Sequence, residues 1–191
     1  MNKMQEEIKR TIEILKSGGV ILYPTDTVWG LGCDATNKEA VEKIYRIKAR
    51  EAQKSLLILV DKPEMIPSYV NEMPDLAWDL IDYADKPLTI IYSGAKNLAE
   101  NLMNKEKTIG IRAVQDEFCQ KLIQKVKKPI VSTSANISNK RSPNNFSDIS
   151  REIIQQMDYV VSYRQNEKRR YVKPSGIIKV GMGGEVEVIR E

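Results

Sequence analysis

The sequence predicts an α+β fold, a mixed α/β arrangement in which helices flank a twisted, largely antiparallel or mixed sheet. Three observations lead to this prediction. Helical and strand-like hydrophobic periods alternate irregularly along the 191 residues, with no repeat. Neither a GxGxxG nor a GxxxxGK-S/T loop is present, so a regular Rossmann or P-loop array is not indicated. A hydrophobic content of 41% suits one globular domain over residues 1–191.

The first elements follow from apolar spacing and from helix boundary signals. Apolar residues at helical spacing over 8–15 predict a helix, which Gly18-Gly19 ends in the left-handed conformation. The apolar run 20–23 is then a short buried strand. Asn37 is suited to cap a second helix, whose apolar face lies within 41–47.

The middle of the chain continues the irregular alternation. Residues 55–60 are predicted as a strand, because the run LLIL is too short for a helix before Pro63. Pro74-Asp75 opens the next helix, since proline suits a helix start. Two further strands are predicted at 88–92 and 108–112.

The last third of the chain adds two helices and four strands. In chain order they are a helix at 116–126, a strand at 129–131, a helix from Ser147, a strand at 159–162 and two strands at 176–180 and 185–189. The connection GMGG between the last two strands is typical of a hairpin.

The composition excludes several kinds of chemistry. The chain has no histidine, which removes Ser-His-Asp and Cys-His nucleophile pairs and histidine-ligated zinc. Cys33 and Cys119 lack CxxC spacing, and we expect both to be buried, reduced thiols. The apolar runs are far shorter than the ~20 residues of a membrane helix, and the first ten residues have no apolar signal core. We therefore expect a cytoplasmic protein without a membrane partner.

Two polar segments follow apolar elements and are candidate site walls. Residues 24–36, PTDTVWGLGCDAT, come directly after a predicted strand and form either an ordinary turn or the wall of a polar site. Lys48, Arg50 and Lys54 lie together at the end of a predicted helix. Cations there complement the helix dipole, so this cluster alone does not establish a binding site.

A third polar segment interrupts an apolar strand. In VSTSANIS, Ser132, Ser134 and Asn136 alternate along the chain, and an extended strand would point all three to one side. Three polar groups on one buried face need hydrogen-bond partners, which a ligand would supply.

Four segments together resemble the YrdC-like family of threonylcarbamoyl-adenylate synthases. They are GGVILYPTDTVWGLGCDAT, IKAREAQKSL, KTIGIRA and VSTSANIS, in this order, and the resemblance spans roughly residues 5–190. It implies a YrdC/RibB-like fold with a concave basic cleft. It also implies synthesis of threonylcarbamoyl-AMP and pyrophosphate from L-threonine, bicarbonate and ATP, for threonylcarbamoyladenosine modification of tRNA through a partner complex or direct contact.

The resemblance also implies which residues form the site. Those expected to bind L-threonine are Thr27, Leu59, Arg112, Ser132 and Ser175. Those expected on the ATP side are Lys48, Arg50, Lys54, Thr108, Ser134, Asn136, Ser142 and Arg190, with Lys48 and Arg50 as the catalytic cations. No side chains are expected to form a metal site, and Mg²⁺ would be held mainly by ATP.

Some positions depart from the family pattern. Trp29 stands where tyrosine is usual, which preserves an aromatic wall, and Leu59 stands where some members have histidine, so one polar contact to threonine is lost. The chain stops soon after the last predicted strand, so the resemblance implies the short, single-domain form of the family.

Two alternatives stay open from the sequence. A non-catalytic protein of the same fold would use the basic face to bind double-stranded RNA or tRNA. The segment RQNEKRRYVK, residues 164–173, is a solvated loop, a lid over ATP or a patch that touches tRNA.

Overall fold

The protein is described here by a computed structural model, which describes residues 2–49, 56–138, 140–169 and 172–191. The α-helices in these ranges are α1 (Lys3–Lys16), α2 (Lys38–Ile47), α3 (Asp75–Asp82), α4 (Glu117–Val126) and α5 (Arg151–Gln155). The strands there are β1 (Ile21–Tyr23), β2 (Gly30–Gly32), β3 (Leu57–Val60), β4 (Leu88–Tyr92), β5 (Ile109–Ala113), β6 (Ile130–Ser134), β7 (Tyr159–Val160), β8 (Gly176–Val180) and β9 (Val186–Arg190).

Within the described residues the strands form one mixed sheet in the order β7-β1-β2-β6-β3-β5-β4-β8-β9. The pairs β1–β7, β3–β5 and β4–β8 are parallel, and the other neighbouring pairs are antiparallel. The mixed, largely antiparallel sheet predicted from the sequence is therefore confirmed.

Side-chain alternation along the strands divides the core between the two faces of the sheet. On one face, Ile21 and Tyr23 of β1 pack with α1 and α4 through residues such as Ile8 and Phe118. On the other face, Leu22 of β1 packs in the cluster that contains the apolar side of α2. Helices thus cover both faces of the mixed sheet.

The helix boundaries follow the capping signals of the sequence. The side chains of Asn37 and Asp116 accept hydrogen bonds from the backbone N–H groups of Ala40 and Cys119, and so cap α2 and α4. Gly18 has a φ of 79°, which fits the predicted left-handed end of α1.

Two parts of the secondary structure differ from the sequence prediction. The helix predicted from Ser147 is instead a short 3₁₀ turn, Phe146–Asp148, and the α-helix begins at Arg151 after its cap, Ser150. The glycine-containing stretch Gly30–Gly32, predicted as part of a polar loop, pairs with β1 and β6 as a strand.

Two predictions from composition are tested by the described residues. Cys33 and Cys119 are both free and buried, as predicted. No helix in the described part of the chain combines the length and the apolar character that crossing a bilayer demands.

Candidate functional site

A cavity of about 210 Å³ opens on the sheet face that also carries α1 and α4. Its floor includes Gly30 of β2, Gly110 of β5 and Ser132 of β6, which lie where larger side chains would fill the space. A Cβ atom on Gly110 would lie 3.3 Å from Thr89 Cγ2 and 3.4 Å from Leu57 Cβ. The concavity therefore coincides with small residues on three strands of the sheet.

Most residues that the resemblance implicates meet in this cavity. The predicted site residues that line it are Thr27, Arg112, Ser132, Ser134, Ser142, Ser175 and Arg190. They come from separate parts of the chain, and the sheet brings them together. Apolar side chains that the sequence did not single out, including Leu57, Ile91 and Ile177, complete the wall.

One end of the cavity is organised around Arg112. Its side chain is 3% exposed and forms an ion pair with Asp26, and its Nη2 donates to Thr27 Oγ1 over 3.3 Å. The Nε of Arg112 is buried and has no hydrogen-bond partner within the described residues. The guanidinium therefore has one N–H donor that no group of the described residues satisfies. Asp26 was missed by the sequence reasoning, although it stands inside the motif PTDT.

Another wall is formed by Ser175 and its partners. The hydroxyl groups of Ser175 and Thr89 lie 2.8 Å apart, and the Ser175 carbonyl accepts hydrogen bonds from Arg190 Nε at 3.0 Å and Nη2 at 2.8 Å. Desolvation by burial and, after it, the positive charge of Arg112 lower the pKa of Arg190. Arginine stays charged in proteins, so the two guanidinium groups favour an anionic ligand. Thr89 was also missed, because it lies in an otherwise apolar strand.

Lys48 lies beneath the loop that follows β6 and is almost completely buried. Its Nζ donates to the carbonyl oxygens of Ser134, at 2.6 Å, and of Asn136, and contacts Asn136 Oδ1 at 3.2 Å. Lys48 is therefore not on the cavity wall, where a phosphate contact was predicted. In this structure its ammonium group holds the loop that carries Ser134.

Two other predicted residues, Asn136 and Thr108, also lie off the cavity lining. Asn136 follows a turn, with its N–H donating to the Ser134 carbonyl, and its Nδ2 donates to the carbonyls of Ile137 and Lys140. The three polar residues of VSTSANIS thus do not all point to one side, because the strand ends at Ser134. Thr108 bonds with Asn104 in the loop before β5.

Leu59 is corrected from a threonine contact to a packing residue. It is 0% exposed and lies in the cluster between the sheet and helices α1 and α4, next to Arg112 in the strand register. Arg50 and Lys54 lie outside the described residues, so the basic character predicted for the cleft stays a prediction. Trp29 packs on Phe146, with ring centroids 5.0 Å apart, and does not line the cavity.

Fold and cavity together define a class of protein: an α+β domain with a cavity whose hydroxyl groups and two arginines suit a small anionic molecule. A family model, Sua5/YciO/YrdC, described as telomere recombination, matches residues 13–191. The chain therefore belongs to the Sua5/YciO/YrdC family.

Relatives of similar length carry a consistent name. A protein of Methanocaldococcus jannaschii, provisionally named threonylcarbamoyl-AMP synthase, is 39% identical over 183 residues, which cover 92% of this chain and 83% of the relative. The threonylcarbamoyl-AMP synthase of Pseudoalteromonas translucida is 33% identical over 160 residues, covering 82% of this chain and 86% of the relative.

Solved structures share the architecture. The structure of E. coli YciO superposes with a TM-score of 0.84 at 26% identity, covering 98% of this chain and 89% of that one. The structure of P. abyssi Sua5 in complex with L-threonine gives a TM-score of 0.82 at 26% identity, covering 91% of this chain. The present chain spans about half of that Sua5 chain, 50% of its length.

Proposed function

We propose that this chain is a threonylcarbamoyl-AMP synthase, which makes threonylcarbamoyl-AMP and pyrophosphate from L-threonine, bicarbonate and ATP. One observation carries the proposal. In a member of this family, seven residues that the resemblance assigns to substrate line a single cavity. The names of the relatives and the L-threonine complex of P. abyssi Sua5 support the same reaction.

The reaction suits a site without histidine. The threonine amine and bicarbonate combine to a carbamate with loss of water, and a carbamate oxygen attacks the α-phosphorus of ATP. The bond from the α-phosphorus to the bridging oxygen breaks, and pyrophosphate leaves. Positioning and charge stabilisation dominate such a phosphoryl transfer, so the protein needs no covalent intermediate.

In this proposal L-threonine binds at one end of the cavity and ATP at the other. Arg112 with Thr27 suits the threonine carboxylate, because a guanidinium fork binds a carboxylate through two hydrogen bonds. Ser132 and Ser175 would complete the amino-acid side. Ser134, Ser142 and Arg190 would face the nucleotide, and Arg50 and Lys54 remain predicted phosphate contacts.

Mg²⁺ would enter with the nucleotide. The residues that line the cavity include no carboxylate, and the described residues contain no cluster of three or more acidic, cysteine or histidine side chains placed to hold a metal. Mg²⁺ keeps several waters and binds well to phosphate oxygens, so the triphosphate would supply most of its ligands. When bound, the ion would neutralise charge that develops on the leaving pyrophosphate.

The product would pass its threonylcarbamoyl group to tRNA, through a partner complex or direct contact. RNA binding without catalysis stays the alternative prediction. It differs from the proposal because its affinity for RNA would depend on salt but not on L-threonine or ATP.

Pyrophosphate release, measured with each substrate omitted in turn, tests the proposal. The expected result is release that needs L-threonine, bicarbonate and ATP together. Release that continues without L-threonine would reject the synthase assignment, and so would no release from folded protein with all three present.

A matched pair of variants connects the activity to the cavity. Arg112→Lys keeps the charge beside Asp26 but loses the fork, so the KM for L-threonine should rise about tenfold or more. Arg46→Lys makes the same change on α2, where the side chain is 72% exposed and pairs with Glu42. This control should leave the KM for L-threonine and the KM for ATP unchanged.

A further inference from the structure

The basic segment 164–173 is anchored to the protein at its first residue. The Arg164 side chain is 12% exposed, and its Nη1 lies 2.5 Å from Asp116 Oδ2, at the start of α4. Its Nε donates to Glu167 Oε2 at 2.9 Å. A φ of 67° at Arg164 turns the chain there. This end of the segment is therefore built into the fold.

Arg169, in the same segment, bonds to the loop between β1 and β2. Its Nη1 donates to the carbonyl oxygen of Thr25 at 2.9 Å and to that of Thr27 at 3.1 Å. The backbone N–H of Arg169 donates to Asn145 Oδ1 at 2.6 Å, and Glu167 lies 3.4 Å from its Nε. One guanidinium group therefore holds the two carbonyl groups on either side of Asp26.

Those two carbonyl groups belong to the residues that organise Arg112. Asp26 pairs with the Arg112 guanidinium, and Thr27 Oγ1 accepts from its Nη2. Within the loop, the Thr25 hydroxyl donates to the Val28 carbonyl at 2.7 Å and accepts from Thr27 N–H at 3.1 Å. A change in the position of the loop would therefore move the donors that meet a carboxylate ligand.

We propose that Arg169 is a positioning residue for the amino-acid end of the cavity. It is absent from the lining of the 210 Å³ cavity and lies with Asp26 and Thr27 along an adjoining open cleft. It acts by fixing the Thr25 and Thr27 carbonyl groups, which set the geometry of Asp26, Thr27 and Arg112. The inference rests on the proposed function for the identity of the ligand as an amino acid. A misplacement of about 1 Å can cost about 10²-fold in rate, so a shift confined to this end of the cavity should affect L-threonine more than ATP.

Three variants test the role by steady-state kinetics of pyrophosphate release. Arg169→Gln should raise the KM for L-threonine about tenfold and leave the KM for ATP within about twofold. Arg169→Lys keeps one charged donor and should give an intermediate rise of about threefold. Lys168→Gln, at the exposed neighbouring position, is the control and should match the wild type.

Hydrogen exchange of the ligand-free protein tests the same contact without catalysis. Amides of residues 25–29 should exchange faster in Arg169→Gln than in the wild type or in Lys168→Gln, because the carbonyl groups of Thr25 and Thr27 lose their shared guanidinium donor. Equal exchange in the three proteins would overturn the proposal, as would an equal rise in the KM for L-threonine and the KM for ATP.

If Arg169→Gln does not fold, Arg169→Lys decides in the same way: a selective rise in the KM for L-threonine supports the role, and unchanged constants reject it. A wild type that releases no pyrophosphate would reject the proposed function instead, and the exchange result would still stand.

Discussion

The charges of Arg112 and Asp26 should be coupled far more strongly than those of an ion pair on the surface of the same chain. Their side chains are 3% and 15% exposed, whereas those of Lys121 and Glu117, in α4, are 41% and 68% exposed. Water screens the exposed pair and leaves the buried pair almost unscreened. The two pairs therefore allow a comparison within one protein.

The expected magnitude follows from what each substitution leaves behind. Asp26→Ala leaves a guanidinium group buried without its counter-ion, which typically costs about 3–5 kcal/mol. Arg112→Met removes the charge that needs a partner, so adding Asp26→Ala to it should cost about 1 kcal/mol or less. The coupling free energy of the cycle is then about 2–4 kcal/mol. The corresponding cycle for Lys121 and Glu117 should give about 0.3–0.5 kcal/mol.

Urea unfolding of the wild type, the two single variants and the double variant measures each cycle. The m-values should be equal across a cycle, so that differences in midpoint report stability. A coupling below about 1 kcal/mol for Arg112 and Asp26, or one no larger than for the α4 pair, would refute the reasoning from burial.

Two further predictions concern stability. Gly32→Ala should destabilise by about 1–3 kcal/mol, because the new Cβ would lie 2.6 Å from the Tyr23 ring and 2.9 Å from the Val131 carbonyl. Gly176→Ala, whose nearest atoms lie at 3.7 Å, is the control, and equal losses in chemical unfolding would contradict the packing argument. Burial raises the pKa of Cys33 and of Tyr23 above their ordinary values of 9.0 and 10.0. The unfolded chain loses these protons first, so stability should be intact below about pH 9 and fall above it. A midpoint of unfolding that holds steady or rises between about pH 7 and pH 10.5 would rule this out, and Cys33→Ala should make the decline shallower.

Local signals account for most of the helices and strands. The predicted strand at 88–92 has the same bounds as β4, and Asn37 caps its helix as predicted. These elements depend on apolar spacing and on side chains that bond within a few residues, both of which are visible in one sequence. The four motifs likewise contain four of the seven predicted cavity residues, which are Thr27, Arg112, Ser132 and Ser134.

What the sequence missed depends on distant partners. Gly30–Gly32 has little strand propensity of its own and becomes a strand because β1 and β6 supply hydrogen bonds on both sides. A helix-end lysine looks like a surface cation, and only the folded chain shows the carbonyl groups of the Ser134 loop around Lys48. The bond from Arg169 to the Thr25 carbonyl spans 144 positions and leaves no local pattern.

Strand β6 joins the two parts of the sheet, since it pairs with β2 on one side and with β3 on the other. Ser134 lies opposite Gly30 and Ser132 lies opposite Leu57. The cavity walls on the β2 side and on the β3 side are therefore both hydrogen-bonded to this one strand. Partial unfolding that broke the pairing of β6 with β2 or with β3 would separate these two cavity walls. Loss of pairing on either side of β6 should therefore abolish ligand binding even where the other half of the sheet stays folded.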